Sequence, residues 1–254
     1  MKRAIWGDLN RGRATLLCCT VLAALSACSA PANQPAQTPA AAAAAWVTTP
    51  LIQSAERSGQ GLVLRGVTAP SGRVVVRAAG GLAYATGADS EGRFVLRVGA
   101  LSSDALFVVE TQNGQEAAPA PYRLLVTADS AGPIALLTPG GPSRRLDQTG
   151  PLDVIDSDGR ALLASGRAEP GSLLSISVNG GPREIQVGAD GRWVAAIDGA
   201  ASQIAVGDRL YSLPSLGEKD SGGELAVASV SGGRLVRWAT SPKAAQSSWF
   251  PERP

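Results

Sequence analysis

The chain repeats itself, and this duplication limits its possible folds more than any other feature. "TTPLIQSAERSGQGLVLRGVTAPSGRVVVRA" begins at Thr48, and "TGPLDVIDSDGRALLASGRAEPGSLLSISVN" begins at Thr149. Both open with a Pro-Leu pair, and Gly66 to Pro70 corresponds to Gly166 to Pro170. Further on, "GADSEGRFVLRV" (Gly87–Val98) aligns with "GADGRWVAAI" (Gly188–Ile197). Gly66 to Phe94 is 28 positions and Gly166 to Trp193 is 27. Nearly constant spacing across so many correspondences means one unit present twice. Each copy, at roughly 85–95 residues, is long enough for a modest core of its own.

Within each copy the local signals are those of strands. "RVVVRA" and "LLSISV" are short, rich in β-branched residues, and follow the turn formers Pro-Ser-Gly and Pro-Gly. Asp190-Gly191 sits directly before a strand pattern in which Trp193, Ala195 and Ile197 share a face. Phe94, Leu96 and Val98 do the same in the first copy, with Arg93 and Arg97 turned the other way. That is the period of a half-buried antiparallel strand. No amphipathic helix of useful length is written between Val47 and Pro254. Short strands at regular spacing predict an all-β chain built as a sandwich.

Gly166-Arg167-Ala168-Glu169-Pro170-Gly171, followed by Asp190-Gly191-Arg192-Trp193, resembles bacterial immunoglobulin-like domains of envelope and adhesin proteins. The resemblance implies two tandem Ig-like antiparallel β-sandwiches and transfers no active site. The first copy departs from the pattern. Ser71 reads as an insertion between Pro70 and Gly72, and Ser90-Glu91 as a lengthening of the later turn. The expected organisation is domain 1 over residues 48–130, a linker over 131–148, domain 2 over 149–241 and a tail over 242–254. "PIALL" in the linker equally fits an edge strand, and Pro214–Glu224 reads as a surface hairpin.

All three cysteines lie before the repeats, in "LLCCTVLAALSAC" (Leu16–Cys28). Lys2, Arg3, Arg11 and Arg13 precede an uncharged run from Ala14 to Ala27, the layout of a secretory signal peptide. The run is shorter than the roughly 20 apolar residues a membrane span needs. Leu25-Ser26-Ala27-Cys28 resembles the lipobox of bacterial lipoproteins at all four positions. That resemblance implies removal of residues 1–27, a diacylglycerol on the Cys28 thiol, and acylation of the new amino group. Ser29 in turn resembles outer-membrane cargo. Residues 28–47, rich in Ala and Pro, then read as an extended tether. Cleavage leaves 19 basic against 20 acidic residues, so the mature chain has no basic stripe for nucleic acid.

The chemistry available is narrow. The chain has no histidine, and beyond Cys28 no cysteine, which removes Ser-His-Asp and Cys-His nucleophile arrangements and the usual zinc ligands. Paired carboxylates could still hydrolyse glycosides, but the acids lie scattered beside turn glycines. Asp156-Ser157-Asp158-Gly159 is a fragment of a calcium loop, yet Arg160 follows and Ala168 stands where the closing Glu belongs. A polar turn is the better reading. The Gly-Gly pairs lack the Lys-Ser/Thr and the helix of a phosphate loop. The expectation is a non-enzyme without cofactor or metal. It would be anchored through its lipid to the outer membrane, periplasm-facing, and support an unidentified envelope protein. The alternative is a glycan or surface ligand-binding, adhesive module. Trp249 and Phe250 fall outside the repeat, and are expected either to pack back on domain 2 or to anchor a partner.

Overall fold

The computed structural model describes residues 48–59, 61–147, 150–216 and 223–252, so Cys28 and its tether lie outside the described residues. The first copy forms seven strands. They are β1 (Leu51–Ser58), β2 (Gly61–Val67), β3 (Arg73–Ala78), β4 (Ala83–Gly87), β5 (Arg93–Gly99), β6 (Ala105–Asn113) and β7 (Glu116–Val126). Next come β8 (Ile134–Leu137) and β9 (Arg144–Arg145). The second copy repeats the seven as β10 (Val154–Ser157), β11 (Leu162–Arg167), β12 (Leu173–Val178), β13 (Gly181–Gln186), β14 (Arg192–Ile197), β15 (Gln203–Val206) and β16 (Arg209–Ser212). Three more follow: β17 (Leu225–Val230), β18 (Gly233–Ser241) and β19 (Ala244–Pro251).

These strands make four antiparallel sheets. Their orders are β1-β2-β5, then β4-β3-β6-β7-β8-β9, then β14-β11-β10-β19-β18-β17, and β13-β12-β15-β16. The duplication is visible in the topology, since β1-β2-β5 recurs as β10-β11-β14 and β4-β3-β6-β7 as β13-β12-β15-β16. Strands outside the repeat enlarge only the two inner sheets. β8 and β9 extend the second, and β19, β18 and β17 extend the third.

Three cores fill the spaces between the layers. Ile52, Leu64 and Phe94 of the first sheet meet Val76, Phe107 and Leu124 of the second. Ile155, Trp193 and Trp249 of the third meet Ile176, Ile204 and Val206 of the fourth. Between these two sandwiches lies a further core. Leu106, Leu125 and Leu137 of the second sheet pack on Val154, Trp238 and Phe250 of the third. The described residues accordingly form one compact unit.

The expected boundaries change with it. Residues 131–148 are not a linker, because they carry β8 and β9. Residues 242–254 are not a tail, because β19 pairs with β10 on one side and β18 on the other. The reason is double-sided burial. All four residues of β8 and all four of β10 are buried, as are the last six of β19. A strand covered on both faces loses the alternation that marks a half-buried one.

The turns show how faithful the duplication is. A Cβ on Gly66 would lie 2.2 Å from the Leu51 carbonyl oxygen, and one on Gly166 would lie 2.1 Å from that of Pro151, so neither site admits a side chain. Ser71 is not an insertion. It holds the left-handed φ of +58° that Gly171 holds at +72°. Both N–H groups donate to equivalent carbonyls, those of Asp89 and Gly188. The later turns are also equal in length, each closed at 3.0 Å, Gly92 N–H to Asp89 O and Gly191 N–H to Gly188 O. The extra residue of the first copy sits instead in the β3–β4 connection. There the second copy uses the two-residue turn Asn179-Gly180, with both φ values positive as a type I′ hairpin requires.

Candidate functional site

At one end of the first sandwich, loops enclose a groove of about 500 Å³. The four-residue β3–β4 connection lifts Leu82 into it, 41% exposed, and β4 adds Tyr84. The β5–β6 connection contributes Leu101 and Asp104, and the start of β17 closes the far wall with Glu224 and Leu225. The Tyr84 ring leans on buried Phe107, centroids 6.4 Å apart at 60°, which fixes its orientation. Asp104 is held by the Ala128 N–H, donated to its Oδ1 at 2.8 Å. An aromatic wall with two carboxylates at the rim suits a polar or cationic group on an apolar stem.

A second polar site lies between the sandwiches. Asp156, 2% exposed, points from β10 toward the β8–β9 connection. It accepts the Ser143 N–H at 2.6 Å, the Ser143 hydroxyl at 2.8 Å and the Ser248 hydroxyl at 2.6 Å. Burial pushes its pKa up to about 6, and the donated hydrogen bonds limit the rise. Gln246 of β19 completes the clamp, accepting the Gly140 N–H at 3.0 Å and donating to the Thr138 carbonyl at 3.3 Å. Every member is satisfied by a neighbour from another element, so the cluster fixes register rather than presenting a reactive group. Asp158, its neighbour in the calcium-like fragment, caps its own turn by accepting the N–H groups of Arg160 and Ala161.

Trp249 and Phe250, considered above as a partner contact, are each 1% exposed. They are adjacent on β19 and therefore face opposite layers. Trp249 enters the core of the second sandwich and Phe250 the core between sandwiches. The Arg145 guanidinium stands 5.9 Å over the Phe250 ring while its Nη1 donates to the Pro251 carbonyl at 2.7 Å. Neither aromatic side chain is available to a partner. The groove was not found from sequence because its walls come from three separated segments, and the residues that form it are individually ordinary.

No family model matches this chain, and no curated protein matches it. Among solved structures, one similar chain is described as a Ca²⁺-stabilised adhesin that helps an Antarctic bacterium reach out and bind ice. It has a TM-score of 0.24 and 11% identity over 81% of this chain and 48% of that one. Another belongs to a 1.5-MDa bacterial ice-binding adhesin, with a TM-score of 0.23 and 12% identity over 80% of this chain and 63% of that one. The chain thus spans less than two thirds of either structure, and likeness at this level carries no argument about what it does.

Proposed function

We propose that the chain is a non-catalytic structural and interaction protein of the cell envelope, anchored in the outer membrane by lipid on Cys28. The observation that carries this reading is the core between the sandwiches, where Leu106, Leu125 and Leu137 meet Trp238 and Phe250. Duplicated units that only needed to be linked could remain beads on a string. A shared core instead makes one stiff body, suited to holding a partner at a fixed distance from an anchoring surface. Three hydrogen bonds donated to Asp156 by Ser143 and Ser248 lock the same junction. The test of the anchor is Cys28→Ser. Fractionation should find the variant soluble or unprocessed, and recovery of the variant firmly in the outer membrane would refute the assignment. Ligand binding, the second reading, is favoured by one observation. The groove places Tyr84 beside Asp104 and Glu224, and retention on a glycan array that Tyr84→Ala abolishes would support it.

A further inference from the structure

The four sheets have eight edge strands, and seven are guarded. Arg144 Nη2 donates to the Ile52 carbonyl at 2.7 Å and the Gln53 carbonyl at 3.1 Å, covering β1 where its register slips. β5 carries Arg93 and Arg97, and β4 lies against it across the sandwich. β9 is two residues long and β16 only four, with Arg209 at its start. β13 contains Pro182, Arg183 and Glu184, and Arg183 Nη1 donates to the Ala196 carbonyl of β14 at 3.3 Å. Charges, proline, bulges and short length are the means by which natural sheets prevent edge-to-edge pairing.

β17 has none of these. Its six residues, Leu-Ala-Val-Ala-Ser-Val, carry no charge and no proline, and its register with β18 runs without a bulge. The Ala239 N–H donates to the Glu224 carbonyl at 3.0 Å. Bonded and non-bonded pairs alternate along an antiparallel ladder, so Ala226, Ala228 and Val230 bond β18. The N–H and C=O groups of Leu225, Val227 and Ser229 therefore point outward, and among the described residues no strand takes them up. The groove of Leu82, Tyr84, Asp104 and Glu224 opens at the first residue of this same strand.

We infer that β17 is a strand-addition site for an extended, uncharged peptide segment of a partner protein, with a basic residue entering the adjoining groove. This deepens the interaction reading above, on which it rests, and is independent of the lipid anchor. Three features select the occupant. Leu225 and Val227 already line the core between the sandwiches, so an added strand extends an existing apolar surface. The groove's two carboxylates have no salt-bridge partner among the described residues, and they complement a cation. A second copy fits poorly. Leu106 of β6 packs over β17, whereas β3 and β4 contribute nothing to the shared core and continue the second sheet past that edge. Two-fold pairing of β17 with itself would bring two such overhangs into the same layer. A single strand does not meet that obstacle.

The experiment uses the full chain carrying Cys28→Ser and the synthetic peptide Thr-Val-Thr-Val-Thr-Val-Lys-amide, whose lysine antiparallel addition brings to the groove. Amide hydrogen exchange should slow at Leu225, Val227 and Ser229 and stay unchanged at Ala226 and Ala228. Replacing the peptide lysine by Glu should weaken binding about tenfold. Val227→Pro removes an outward N–H without touching the β18 ladder and should abolish the effect. If that variant unfolds, the exchange pattern of the unsubstituted edge decides alone. Unchanged exchange at the three amides would overturn the proposal, and so would equal binding of the two peptides. Concentration-dependent protection of the same amides without peptide would also overturn it, in favour of a second copy. Failure of Cys28→Ser to leave the membrane would refute the anchor and leave this result standing.

Discussion

Phe250→Ala tests whether the two sandwiches are one folding unit. The ring is 1% exposed and sits between Leu125, Leu137, Val236 and Trp238, with Arg145 above it. Truncating a fully buried phenylalanine costs about 3–5 kcal/mol in lost transfer and residual cavity. Loss of the ring from beneath a buried guanidinium adds about 0.5–2 kcal/mol. The expected total is about 3.5–7 kcal/mol. At roughly 2–4 °C per kcal/mol for a unit of this size, the midpoint should fall by about 7–28 °C. Differential scanning calorimetry should show one transition before and after the change. Amide exchange in β2, which Phe250 does not touch, should accelerate together with exchange in β14. A thermogram that splits in two would refute the shared-core reasoning, as would β2 amides that keep their protection while β14 loses it.

Other consequences concern Asp156 and the turn at Ser71. Asp156 has a folded pKa of about 6 against an ordinary 3.8, so the folded state takes up a proton that the unfolded chain does not between those values. Stability should therefore rise as pH falls from 7 toward 4, by at most about 3 kcal/mol. Burial raises the pKa of Asp153 as well, which acts in the same direction. Denaturant titrations should show this slope and show it flattened in Asp156→Asn; a stability that only falls with acid would contradict it. Ser71→Gly should stabilise by about 0.5–1 kcal/mol, because φ of +58° strains a serine and not a glycine. Gly171→Ser should cost a similar amount, and thermal melts of the two variants are the check.

Much of the fold is legible in the sequence, because the repeat writes each copy's turns in residues with few alternatives. Gly66 and Gly166 admit no Cβ, and the Asp-Gly turns precede strands whose apolar residues alternate. What alternation cannot report is a strand with a core on either side. "IALL" reads equally as connection or edge strand and "SSWFP" as tail for that reason, although both lie inside the inner sheets. The duplication could not place Trp249 and Phe250, since β17–β19 have no counterpart in the first copy. Ser71 misled differently: a non-glycine residue in the left-handed region looks like an extra residue when glycine is taken as the marker. Single residues do not signal the groove at all. Leu82 and Tyr84 become a wall only when β17 is brought beside them, and β17 is more than a hundred residues away in the chain.

The position of β19 has a consequence for synthesis. β10 must wait for a partner about ninety residues downstream, because Asp156 pairs with Ser248 across that interval. While the chain emerges from N- to C-terminus, the first sandwich can close early. The third sheet cannot join β10 to β18 until residues 244–251 have appeared. Val154 and Trp238 stay uncovered until then, and so does the face of β8 that packs on them. Pairing at such long range is intrinsically slow, and it keeps the second half of a nascent chain open through most of its elongation. An unfinished copy that stops before β19 displays an apolar surface that a finished copy covers.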